Sequence, residues 1–180
     1  GVWLTRLEAN GTVNGTDLVN TATDGVQDQP DIAQLPGGQV AVVWRSGGKI
    51  FFQRYDASLA RVEGDQSEAL NPNRDAAVDG ARPSAGAPVL AAGSKAAPWF
   101  VAAWEADDGT IRSRYIGAES GFGFNSVDGD NRDFIASHPR IETARRDPAV
   151  AISDSYIAIG WLDTSNDHPG MFVRRFPLPN

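Results

Sequence analysis

The stretch KIFFQRYDA, residues 49–57, decides the fold. It alternates apolar and polar side chains and then meets an acidic turn, which is typical of a half-buried β-strand. Three further segments carry arginine and then an apolar or aromatic residue at the same places as IFFQRY (50–55): VWLTRL (2–7), TIRSRY (110–115) and MFVRRF (171–176). The four arginines, Arg6, Arg54, Arg114 and Arg175, are 48, 60 and 61 residues apart. The sequence therefore predicts a β unit that repeats along the chain.

The repeated arginine strand has a predicted face and a predicted role for its arginine. In two copies the same face reads Phe51, Gln53, Tyr55 and Ile111, Ser113, Tyr115. Each arginine alternates with these positions. We therefore expect its stem to cover apolar surface while its guanidinium binds a carboxylate or a carbonyl.

A second repeated element is an apolar run that ends in tryptophan. It occurs as QVAVVW (39–44), WFVAAW (99–104) and YIAIGW (156–161). Such runs are typical of strands covered on both faces. Because Trp44, Trp104 and Trp161 recur at one place in every unit, they predict core packing in preference to a sugar-stacking platform.

Two more strand-like pieces lie upstream of each tryptophan run. A proline opens PDIAQL at Pro30, PVLAAG at Pro88 and PAVAIS at Pro148, a position where proline costs no ladder hydrogen bond. Before these stand NRDAAV from Asn73 and NRDFIA from Asn131, with a weaker counterpart in TDLVNT from Thr16. The unit is thus about four short strands joined by Gly- and Asp-rich turns, with no convincing amphipathic helix.

These elements predict an all-β fold. Four-stranded sheets repeated around an axis are the blades of a β-propeller, and a β-sandwich is the alternative. The predicted units are 1–8 (last strand only), 16–62, 71–116 and 129–178, within a single propeller-like region over 1–180. Three units and an orphan strand cannot close a ring that ordinarily takes roughly four to eight blades. We therefore expect the region to be partial, completed by a missing part of the same protein or by further copies.

Composition narrows the class of partner. Lys and Arg total 16 against 23 Asp and Glu, a net charge of -7, and no basic run occurs, so nucleic acid is not expected as a partner. No apolar run has the length of a membrane span, and the amino end lacks the pattern of a signal peptide. Absence of cysteine excludes disulfides and thiolate chemistry. The overall composition favours an extracellular, periplasmic or cell-surface location.

The repeat resembles a unit of large secreted bacterial proteins that often stands near calcium-binding repeats and adhesin-like regions. Residues 26–64, which contain QPDIAQLPGGQVAVVWRSGGKIFFQRYDASLARVEG, carry the resemblance most fully, and VWLTRLEANGTVNGTDLVNT matches the end of one unit. The later units depart from it, with GAESGFGFNS in place of a D-A-x-G turn. The resemblance implies an exported, propeller-like module and names no activity.

One acidic stretch is a candidate metal site. VDGDNRDF offers Asp128, Asp130 and Asp133 as oxygen ligands for calcium, although Arg132 and the missing closing glutamate exclude an EF-hand loop. A solvated turn is the competing interpretation. The loops EADDG (105–109) and LDTSNDHPG (162–170) are weaker candidates of the same kind.

No catalytic residues are predicted. His138 and His168 each precede proline in a turn, without the spacing of a metal or triad site, and we expect surface turn residues. The expected function is a noncatalytic binding or structural module that recognises a protein or glycan, or serves as an accessory subunit of a surface assembly. Residues 56–72 and 116–130 are the predicted ligand loops. The alternative is a fragment of a sialidase-like propeller glycoside hydrolase, which would need Arg, Tyr and Glu around one central pocket.

Overall fold

The fold consists of antiparallel β-strands. A computed structural model describes residues 1–21, 25–62, 86–117, 134–137, 145–166 and 169–178, and no helix occurs among them. The twelve strands are β1 Trp3–Leu7, β2 Val13–Leu18, β3 Gln27–Gln34, β4 Val40–Ser46, β5 Lys49–Tyr55, β6 Val89–Ala92, β7 Trp99–Glu105, β8 Ile111–Gly117, β9 Phe134–Ile135, β10 Arg145–Ile152, β11 Tyr156–Asp163 and β12 Gly170–Pro177. The prediction of an all-β fold is confirmed.

The strands form four small sheets in which neighbours along the chain are neighbours in the sheet. Sheet 1 is β1-β2, sheet 2 is β3-β4-β5, sheet 3 is β6-β7-β8-β9 and sheet 4 is β10-β11-β12. The first strands of sheets 2, 3 and 4 lie side by side, because β6 contacts both β3 and β10. Among the described residues no helix has the length and hydrophobicity needed to cross a bilayer.

The sheets pack face to face in chain order, and one repeated tryptophan lies in each of the three layers between them. Trp44 packs between sheets 1 and 2, Trp104 between sheets 2 and 3, and Trp161 between sheets 3 and 4. Their exposed fractions are 2%, 0% and 7%. The prediction that these indoles form core is confirmed, and each of them faces the preceding sheet.

Sheets 2 and 4 share one register. Trp44 lies opposite Phe51, and Trp161 lies opposite Phe172, in each case three residues before the repeated arginine. The two aromatic pairs even stack alike, with ring centroids 5.9 Å and 6.1 Å apart. Positions in the two hairpins can therefore be matched one to one.

Sheet 3 departs from that register. The prediction that Ile111, Ser113 and Tyr115 form the same face as Phe51, Gln53 and Tyr55 is therefore wrong. Trp104 lies opposite Arg112, only two residues before Arg114. The β4–β5 turn has two residues, whereas the β7–β8 turn is one residue longer and holds Gly109 at φ 74°. A slip of one residue exchanges the two faces of a strand. Tyr115 consequently faces sheet 4, although its counterpart Tyr55 faces sheet 1.

The sheets are offset from the sequence units by one strand. β2, which overlaps the TDLVNT match, pairs with β1, and β9, within NRDFIA, pairs with β8 of the unit before it. β8 and β9 therefore belong to one sheet, and β10 opens the next. Most of each predicted ligand loop, 56–72 and 116–130, lies outside the described residues.

Candidate functional site

One end of the stack holds the β4–β5 turn of sheet 2, the β7–β8 turn of sheet 3 and the ends of β11 and β12 where Asp163 pairs with Gly170 in sheet 4. We call it the hairpin end. There the backbone N–H of Arg145, at the start of β10, donates to the carbonyl of Gly109 in the β7–β8 turn, at 3.3 Å. At the opposite end Nη1 of Arg54 donates to the carbonyl of Gly117, at 2.6 Å. Each end of the stack is therefore a composite of several sheets.

Five charged residues from sheets 3 and 4 meet at this end and form the hairpin-end cluster. They are Glu105, Arg145, Arg146, Asp147 and Asp163. Glu105 closes β7, the arginines open β10, and Asp163 closes β11. Strand pairing places Arg145 beside Asp163, and packing of β10 against β7 brings Glu105 to them.

Arg145 and Asp163 form the buried part of the cluster. Nε of Arg145 lies 3.4 Å from Oδ2 of Asp163, with side chains 2% and 9% exposed. Nη1 of Arg145 also donates to Oγ of Ser137, which accepts the N–H of Ile111 as well. Burial alone would raise the pKa of Asp163, but hydrogen bonds from Ser165 and the charge of Arg145 outweigh it and lower that pKa. The ion pair therefore lies within sheet 4, and the hydrogen bond from Arg145 to Ser137 links it to the end of sheet 3.

Glu105, Arg146 and Asp147 form the accessible part. Burial raises the pKa of the Glu105 carboxyl above its ordinary value, the charge of Arg146 lowers it, and that of Asp147 raises it again. Arg146 is exposed, and its Nη2 lies 3.4 Å from Oγ1 of Thr164. A partly desolvated carboxyl beside an exposed guanidinium can accept and donate hydrogen bonds to a polar partner.

Two strained residues mark the same end of the stack. Gln29 and Asp147 have φ angles of 52° and 53°, each stands before proline, and each lies in a β-bulge. Left-handed φ is uncommon for residues with a side chain, and such strain often marks functional sites. The equivalent position in β3 and β10 shows that the bulge belongs to the repeat.

Beside the first bulge, two acidic side chains have structural partners. Asp28 accepts from Nε and Nη2 of Arg45, both at 3.0 Å, and the hydrogen bond from Arg45 lowers the pKa of Asp28. Oδ2 of Asp31 accepts the backbone N–H of Leu90 at 2.7 Å, which ties sheet 2 to sheet 3.

Two of the repeated arginines, Arg54 and Arg6, have the predicted kind of partner. Arg54, 6% exposed, binds the carbonyl of Gly117 as described above. Arg6 lies 3.5 Å from Asp17, and Arg175 lies over the ring of Tyr156 at 5.3 Å. A hydrogen bond to a carbonyl is thus confirmed for Arg54, and an ion pair with a carboxylate for Arg6.

The predicted calcium ligands Asp128, Asp130 and Asp133 lie outside the described residues, as do His138 and His168. Within the part that the structure describes, no group of three or more potential metal ligands occurs. Sequence reasoning noticed the loops that begin at Glu105 and Leu162 but not that neighbouring residues of β10 contact both, Arg145 at Gly109 and Arg146 at Thr164. The signal was their common place directly after the repeated tryptophan.

The three tyrosines lie away from the cluster. Tyr55, Tyr115 and Tyr156 pair with Val40, Val101 and Pro177 at the end of each sheet opposite the hairpin turn. The described residues therefore bring Arg and Glu together without a tyrosine. No protein-family model matches the chain, and no curated protein matches it.

Proposed function

We propose that the chain is a noncatalytic binding module of an exported bacterial protein, built as propeller-like blades, with the hairpin end as its recognition face for a protein or glycan. The observation that carries this is the hairpin-end cluster, where an exposed arginine and a partly desolvated glutamate from different sheets adjoin a strained bulge. Export rests on the resemblance of the repeat and on its composition.

The propeller-like arrangement is supported by the way the sheets pack. Successive sheets stack face to face, and their first strands β3, β6 and β10 are neighbours. In blades the first strand is the one closest to the shared axis. The bulges in β3 and β10 would then line the central region of the recognition face.

A binding role is supported by two energetically unfavourable features that meet in the cluster. Burial of Glu105 disfavours its charged form, and left-handed φ at Asp147 costs about 1–3 kcal/mol. Local conflicts of this kind are expected at functional sites. The noncatalytic assignment is favoured over a sialidase-like one by the distance of the tyrosines from this cluster.

Binding of labelled protein to an array of purified glycans, including sialylated ones, and to immobilised surface proteins of bacteria tests the proposal. Arg146→Gln is expected to lower the signal at least about tenfold, because it removes the exposed guanidinium. Lys95→Gln, which removes one exposed cation at the opposite end, is the matched control and should bind normally.

Two results would contradict the proposal. Equal binding by Arg146→Gln and the wild-type protein would remove the hairpin end as the recognition face. Release of sugars from the arrayed glycans, detected by mass spectrometry, would establish the glycosidase alternative.

A further inference from the structure

The outer face of sheet 4 carries apolar side chains, and no described residue covers them. Ile157, Ile159 and Trp161 point toward sheet 3, so alternation along the strands directs Met171 and Val173 the other way. These two side chains are 86% and 71% exposed. Single exposed apolar residues are ordinary, but two on one face of a strand pair form a patch.

The matching face of sheet 2 is fully covered. In the shared register Ile50, Phe52 and Arg54 occupy the positions of Met171, Val173 and Arg175. Their exposed fractions are 0%, 1% and 6%, because sheet 3 packs Phe100 and Trp104 against them. Sheet 4 therefore repeats a surface that elsewhere in this molecule receives another sheet.

Sheet 1, the outermost layer on the side of the stack away from sheet 4, has the complementary surface. Trp3 and Leu7 on the outer face of sheet 1 are 62% and 64% exposed, and Val13, opposite Leu7, is 59% exposed. The corresponding strand in sheet 2 uses this face to pack on the preceding sheet, with Tyr55 1% exposed. Sheet 1 thus presents the face that sheets 2 and 4 turn toward the sheet before them.

Charge also suits these two faces to each other. On sheet 1, Trp3, Thr5 and Leu7 are uncharged. On sheet 4, the charged residue among Met171, Val173 and Arg175 is Arg175. In a chain of net charge -7, a contact without carboxylates avoids the repulsion expected between two copies. Arg54 shows what Arg175 could bind, a backbone carbonyl of the next sheet.

We propose that the outer face of sheet 4 docks on the outer face of sheet 1 of a second copy, so that the chain associates head to tail. Such a heterologous contact continues into rings or filaments instead of closing a dimer. Sheet 1 has two strands, so the contact is smaller than a standard interface of roughly 800 Å² per partner, and we expect micromolar association. This inference does not depend on what the hairpin end binds.

Sedimentation equilibrium over a range of concentrations measures the association. The wild-type protein is expected to form species larger than a dimer as concentration rises. Val173→Lys and Trp3→Lys are each expected to weaken association more than about tenfold, because a charge would be buried without a partner. Val26→Lys is the matched control, since Val26 is also 71% exposed and lies on neither face.

Mixing the two variants separates a head-to-tail contact from a symmetric one. Val173→Lys retains an intact sheet 1, and Trp3→Lys retains an intact sheet 4, so an equimolar mixture should form a 1:1 heterodimer and nothing larger. A wild-type protein that stays monomeric at all concentrations overturns the proposal. So does a mixture without heterodimer, provided that near-ultraviolet circular dichroism shows both variants folded.

Discussion

Phe52→Ala tests the stacking of sheets 2 and 3 directly. Phe52 is 1% exposed and packs in the cluster that joins these sheets, so removal of its ring is expected to lower the free energy of unfolding by about 3–5 kcal/mol. That is a large fraction of the roughly 5–15 kcal/mol typical of a domain. Phe52→Leu, with an expected loss of about 1 kcal/mol, keeps the effect measurable if the alanine variant does not fold.

The matched control is Val173→Ala, at the same register position in sheet 4. Val173 is 71% exposed, so truncation is expected to change the free energy of unfolding by less than about 0.5 kcal/mol. Urea titrations at low protein concentration, followed by tryptophan fluorescence, give both values. A loss below about 1 kcal/mol for Phe52→Ala, or equal losses at the two positions, would refute the reasoning that sheet 3 covers sheet 2.

Three further substitutions probe contacts at the hairpin end and at the end opposite to it. Arg54→Met is expected to lower the free energy of unfolding by about 1–3 kcal/mol in urea, because the carbonyl of Gly117 loses a buried donor; a loss no larger than that of the exposed control Arg174→Met would contradict this. Burial raises the pKa of Glu105 in the folded protein above the value of 4.5 in the unfolded chain. Its contribution to the free energy of unfolding is therefore present below pH 4.5 and is lost as the pH rises through the folded-state pKa. Glu105→Gln should therefore unfold at higher urea than the wild type at about pH 7 and not at about pH 3; a lower midpoint at neutral pH would show that the carboxylate is stabilised by its neighbours. Gln29→Gly is expected to raise the free energy of unfolding by about 1 kcal/mol by relieving its left-handed φ, whereas Gln29→Val should lower it; thermal melts that reverse this order would show that the bulge is unstrained.

The strands themselves could be predicted from the sequence because their period and their tryptophans are local signals. The face of β8 could not be predicted from spacing, since Trp104 and Arg114 are 10 residues apart like Trp44 and Arg54. What differs is the turn, where Asp107, Asp108 and Gly109 replace two glycines. A three-residue turn with glycine in the left-handed position is a known hairpin type, so the signal was present in the residues.

The candidate site was beyond local reasoning for a different reason. Glu105 and Arg146 are 41 residues apart and belong to different sheets, so only packing brings them together. Likewise, a strand match such as NRDFIA cannot say whether β9 pairs with the preceding or the following sheet. The geometry of the hairpin end therefore required coordinates.

In the described sheets, strands pair with their neighbours along the chain, and this has a consequence for synthesis. Sheets 1, 2 and 4 close only short loops, which costs little entropy and favours rapid folding. As the nascent polypeptide leaves the ribosome, sheet 1 can form first and then offer a finished surface to the next hairpin. The order in which the sheets are stacked then matches the order in which they are synthesised, because each sheet packs on the one made before it.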